Sequence, residues 1–172
     1  MEKVWIFIDA SYLYKCMQSM FGSAKVDFDG FSRKLVGDER TYIRTNYYTA
    51  VVNQQHSKEK YREQQRFLNF MNTVPFYNVK LGRLMQVGNT CIEKGVDIQL
   101  ATDLVALGYG DRFDTCIIVS GDGDFVPAIK AIQDLGKHAE NAHFIYRKSF
   151  HLIQACDREV ILDEQYFHGL LC

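Results

Sequence analysis

Unbroken apolar runs alternate with amphipathic stretches along this chain. Val4-Trp5-Ile6-Phe7-Ile8 is apolar at every position, the pattern of a parallel strand covered on both faces. Asp9 ends it, and Tyr12 to Met20 predicts a helix closing near Gly22. A short helix is expected over Phe31–Val36, and a strand over Thr41–Val52, where Tyr42, Ile43, Tyr47, Tyr48 and Val51 are β-formers. Ser57 is the expected N-cap of a charged helix from Lys58 to Met71. Tyr77–Leu84 alternates as a third strand, and Gly95 leads into a helix from Val96 to about Leu107 with apolar residues on more than one face. Asp114–Ser120 predicts a fourth strand and Phe125–Leu135 a helix closed by Gly136. A fifth strand is expected over Ala142–Tyr146, then a helix over Ser149–Cys156 and a short strand at Val160-Ile161-Leu162. This alternation predicts an α/β three-layer sandwich with a mostly parallel central sheet. Right-handed crossovers bring the carboxyl ends of all parallel strands to one edge, where ligands of such sheets bind.

Composition narrows the picture. At 172 residues a single domain spanning 1–172 is expected, and a 47% apolar content is ample for a core. The net charge of -1 supplies no whole-chain basic field, so any nucleic-acid binding must be local. The five cysteines are widely spaced and form no C-x-x-C pair, which argues against a zinc cluster and suits free thiols in a reducing cytoplasm. No apolar run is long enough for a membrane span or a signal peptide, so a cytoplasmic location without a membrane partner is expected.

Acids fall at the predicted functional edge in three segments. Asp9 follows the first strand. Asp97 opens the buried helix in Lys94-Gly95-Val96-Asp97. Asp122 and Asp124 follow the fourth strand in Ser120-Gly121-Asp122-Gly123-Asp124-Phe125. Crowded carboxylates repel each other unless a cation sits between them, and a hard divalent ion takes oxygen ligands of this kind. Asp103 lies six residues beyond Asp97, about 240° round the helix, and so does not share its face. An ordinary structural role is open to each: Asp97 capping its helix, Asp9 closing a strand, and an Asp-Gly turn in which Asp124 is the N-cap.

At these residues the chain resembles the LabA-like NYN domains of the PIN-like nuclease superfamily. The resemblance rests on Phe7-Ile8-Asp9, Lys94-Gly95-Val96-Asp97 with Ala101-Thr102-Asp103-Leu104, Val119-Ser120-Gly121-Asp122-Gly123-Asp124-Phe125-Val126-Pro127 and Gly136-Lys137, in that order. It implies a PIN-like sheet with the first strand central, and RNA hydrolysis dependent on magnesium or manganese. It also implies that Asp9, Asp97, Asp122 and Asp124 are the metal-site and catalytic acids, with Asp103, a recurring family acid of less defined role, ranked below them as a fifth metal-site acid. The family usually carries Asn three residues after the first Asp. Here Tyr12 stands there, and Ser11 is the neighbouring polar substitute.

Lys80, Arg83 and Lys94, with Arg147 and Lys148, are candidates to hold phosphates beside the acids; Ser11, Tyr12 and Ser120 complete the substrate-binding set. Tyr42, Tyr47 and Tyr48 read as core rather than as base-stacking groups. The histidines, His56 among them, show no ligand spacing. The leading expectation is a metal-dependent ribonuclease acting on single-stranded RNA, with room for a homodimer. The alternatives are a non-catalytic RNA-binding or regulatory module that keeps the acidic pocket, and a protein-interaction domain whose acids only cap turns.

Overall fold

A computed structural model describes residues 1–52, 57–88 and 90–172. His56 lies outside the described residues. The chain runs β1 (Lys3–Asp9), α1 (Ala10–Phe21), α2 (Phe28–Val36), β2 (Thr41–Val51), α3 (Lys58–Met71), β3 (Tyr77–Val87) and β4 (Thr90–Lys94). It continues through α4 (Val96–Tyr109), β5 (Thr115–Val119), α5 (Val126–Asp134), β6 (His138–His143), α6 (Phe150–Ala155), β7 (Arg158–Ile161) and α7 (Glu164–Phe167). Short 3-10 turns occupy Gly123–Phe125 and Ile145–Arg147.

The strands form one sheet in the order β4-β3-β2-β1-β5-β6-β7, parallel except for the β3–β4 hairpin. β1 is central and alternates between two cores. Val4, Ile6 and Ile8 pack with Leu13 and Met17 of α1, Phe31 of α2, Met71 of α3 and Phe167 of α7. Phe7 faces the other way, with Leu100 and Leu104 of α4, Ile129 of α5 and Leu152 of α6. Both faces are therefore covered, the reason β1 and β5 read as continuous apolar runs. After β1 the chain builds outwards through β2, β3 and β4, then returns across the sheet to add β5 on the other side of β1. The gap between the ends of β1 and β5 is thus the topological switch point.

Three elements differ from expectation, one of them α7, which follows the Val160-Ile161-Leu162 strand expected as the last element. The fifth parallel strand covers His138–His143, earlier than Ala142–Tyr146, and Ile145–Arg147 is a turn. Its buried residues include polar ones that only tertiary partners satisfy. Glu140 is gripped by Arg40 at 2.7 Å, Asn141 donates to the carbonyls of Ile118 and Ser120, and His143 pairs with Glu159 at 2.8 Å. The hairpin strand β4 was also unexpected; as an edge strand it carries no continuous apolar run. Tyr47 and Tyr48 are core residues, 5% and 0% exposed, which removes them as base platforms. Cys16, Cys116, Cys156 and Cys172 are free thiols, two of them buried.

Candidate functional site

The acids at the switch point are placed by local backbone chemistry. Asp9 ends β1 and caps α1: its Oδ1 accepts the Tyr12 N–H at 3.1 Å. Its Oδ2 accepts the Ser120 hydroxyl at 3.3 Å, which joins the ends of β1 and β5. Ser120 is fully buried, and its Oγ in turn accepts the Asp122 N–H at 3.2 Å. Asp122, rather than Asp124, is the cap of the 3-10 turn, taking the Asp124 N–H at 2.9 Å. Asn141 of the neighbouring strand braces this loop from below, donating to the Ser120 carbonyl at 2.9 Å. Sequence reading missed Asn141, because a buried amide in a strand carries no local signal.

Asp97 does not cap its helix. The N-cap of α4 is Gly95, in the left-handed region at φ 82, and no side chain bonds the first turn. Its carboxylate is left free at the mouth of the site. Partial burial there, and the nearby Asp122 and Asp124, push its pKa up. Asp9 is pushed up to about 6, first by desolvation and then by Asp97 and Glu93, against the pull of the Tyr12 and Ser120 hydrogen bonds. The structure therefore brings Asp9, Asp97, Asp122 and Asp124 into one mutually repelling group, and it adds a fifth acid. Glu93 of β4 is also held up by burial and by Asp97, with Lys15 and the Ser11 hydroxyl of α1 partly offsetting this. Glu93 went unseen because its strand did.

Asp103 is directed elsewhere. Its Oδ2 accepts the hydroxyl of buried Tyr48 at 2.9 Å and pairs with Lys80 at 3.6 Å. These contacts tie α4 to β2 and β3. Lys80 is thereby engaged with Asp103, whereas Arg83 and Lys94 sit opposite each other on the exposed hairpin.

Tyr12 is a bracket. Its hydroxyl accepts the Phe144 N–H at 2.9 Å and is hydrogen-bonded to the Cys16 sulfur; burial keeps the phenol protonated. Its ring meets Phe144 edge-on at 5.9 Å. The same ring explains Gly121: a Cβ there would stand 2.6 Å from a Tyr12 ring carbon and 1.9 Å from the Arg147 carbonyl oxygen. The acidic loop thus lies backbone to backbone on the turn after β6.

The donor set is all oxygen, which suits a hard divalent cation better than zinc. Among the described residues, no three carboxylate, imidazole or thiol groups already stand in a closed ligand set. Magnesium suits such spacing, since it keeps several waters and takes only one or two carboxylates directly. No helix among the described residues is long and apolar enough to cross a membrane.

No curated protein matches the chain. A crystal structure of a protein of unknown function from Vibrio parahaemolyticus is similar, with a TM-score of 0.78 at 23% identity, over 99% of this chain and 96% of that one. That likeness supports the fold alone. The sequence itself matches the NYN domain over residues 3–163, nearly its whole length, and the chain belongs to the NYN domain family.

Proposed function

We propose that this NYN domain is a ribonuclease of the LabA-like kind that hydrolyses RNA phosphodiesters with magnesium or manganese. The observation that carries this reading is the convergence of Asp9, Asp97 and the Asp122–Asp124 loop at the switch point, close enough for Asp97 to be raised by both loop acids and Asp9 by Asp97. Such a group repels a phosphate and repels itself, so it fits RNA only with a cation between them. Asp9, Asp97, Asp122 and Asp124 would hold the ion. When bound, the ion supplies charge neutralisation at the phosphate and a more acidic water. The chain's own contribution is placement. Ser120 orients Asp9 through its Oδ2, Asp122 fixes the loop through the Asp124 N–H, and Asn141 fixes Ser120. Asp103 acts at a distance, by securing α4 through Tyr48 and so holding Asp97 at the mouth.

A non-catalytic RNA-binding module is the second reading, and one observation favours it. Tyr12 stands where the family pattern carries Asn, and its hydroxyl is engaged with Phe144 and Cys16. The deciding experiment incubates purified protein with labelled single-stranded RNA in manganese, in magnesium and in chelator. Metal-dependent products that vanish in Asp122→Asn support hydrolysis. Equal cleavage by that variant points to a contaminant, and no cleavage despite metal binding supports the second reading.

A further inference from the structure

The turn after β6 carries features that the acidic centre does not use. From Ile145 to Lys148 every residue is exposed, in the order Ile-Tyr-Arg-Lys, and Phe150 follows. Tyr146 is 87% exposed and Phe150 66%, so both rings stand in solvent beside the two cations. The Lys148 ammonium lies 4.9 Å from the Phe150 ring centre. Among the described residues no carboxylate pairs with Arg147 or Lys148.

This turn is fixed to the acidic loop. The Arg147 carbonyl occupies the space a Cβ of Gly121 would need, and the Ser149 hydroxyl would stand 3.0 Å from a Cβ of Gly123. On its far side, Tyr146 forms one wall of a groove of about 540 Å³ running between the end of α1 and the start of α7. Two cations without a carboxylate partner among the described residues, and two exposed rings, one of them covered by Lys148, therefore border a carboxylate centre. Alternating phosphates and bases of a single strand match that pattern: cations take the phosphates, ring faces take the bases. A duplex does not, because its bases are already stacked.

Resting on the nuclease reading above, we propose that Tyr146, Arg147, Lys148 and Phe150 form the platform on which single-stranded RNA lies as it reaches the acidic centre. Arg147 and Lys148 hold the phosphates next to the scissile one. Tyr146 and Phe150 stack bases on either side, with the groove beside Tyr146 receiving the base beyond.

The test is fluorescence anisotropy with a short labelled single-stranded RNA of mixed sequence. It is run in chelator and again in magnesium on an Asp122→Asn background that blocks cleavage. Tyr146→Ala and Phe150→Ala should each weaken binding by about 5- to 150-fold, the range for loss of one base–ring stack. Arg147→Ala with Lys148→Ala should lower the slope of log affinity against log salt by about 1.4, for two phosphate contacts. All four side chains are exposed, so thermal melts should not move. If both ring variants bind like their parent, the platform is wrong and the nuclease reading stands. If the RNA binds through these residues but the protein with Asp122 intact yields no products in manganese, hydrolysis fails and the platform stands. No binding by the parent under either condition overturns both. Duplex RNA binding as tightly as the single strand, and unmoved by Tyr146→Ala, also overturns the platform.

Discussion

Replacing Asp9 by asparagine should stabilise the metal-free protein at neutral pH and leave it unchanged in acid. Asp9 titrates near 6 in the folded chain, against 3.8 for a free side chain. At 1.36 kcal/mol per pKa unit, that gap corresponds to about 3 kcal/mol. The sign follows from proton binding. Between 3.8 and about 6 the folded state holds more protons than the unfolded one, so stability falls as pH rises through this window. Below it the carboxyl is neutral in both states and costs nothing. Above it the folded chain carries a desolvated carboxylate beside Asp97 and Glu93. Asparagine keeps the cap on α1, since its carbonyl still accepts the Tyr12 N–H. It loses the charge-assisted bond from Ser120, but that bond pulls the Asp9 pKa down and is already counted in the gap. The net gain above pH 7 is therefore about 3 kcal/mol, or roughly 6–12 °C in Tm for a chain of this size. Melts of both proteins in chelator, from pH 4 to pH 8, read the difference directly. Comparing the two cancels the titration of other groups. A gap that is constant with pH, or a variant less stable at pH 8, would refute the reasoning and leave Asp9 a structural cap.

Manganese added at about 100 times its Kd should raise the stability of the wild type by about 2.7 kcal/mol and that of Asp9→Asn by far less, measured by the same melts. Gly121→Ala should cost about 1–3 kcal/mol and depress cleavage, because the new methyl meets the Arg147 carbonyl and the Tyr12 ring; chemical denaturation together with the RNA assay checks both. Tyr12→Phe should cost about 1 kcal/mol for the orphaned Phe144 N–H, and Tyr12→Asn about 3 kcal/mol for the emptied ring site, whatever either does to activity. Equal stability of the two variants would contradict the bracket role of the ring.

Most of this architecture was legible in the chain because its driving force is local in sequence. β1 and β5 are apolar at nearly every position, which only strands covered on both faces tolerate, and Asp9 and the Ser120–Phe125 run stop them abruptly. Those stops carry the acids, so the contents of the candidate site could be read before its shape. β6 could not be read. Glu140, Asn141 and His143 are polar, and they are buried because Arg40, the Ser120 carbonyl and Glu159 lie opposite them, contributed by residues 16 to 100 positions away. Nor could Glu93 be seen as part of the site, since β4 is placed by pairing with β3 rather than by its own pattern. The roles of Tyr12 and Asp103 needed the tertiary structure as well. Sequence identified one as a departure and the other as an acid of uncertain use; packing against Phe144 and Gly121, and the hydroxyl of Tyr48, decided what each side chain does. Residue type and local periodicity thus determined which groups reach the edge of the sheet. Which of them face one another was decided by long-range contacts, because hydrogen bonds and charge repulsion depend on distance in space rather than along the chain.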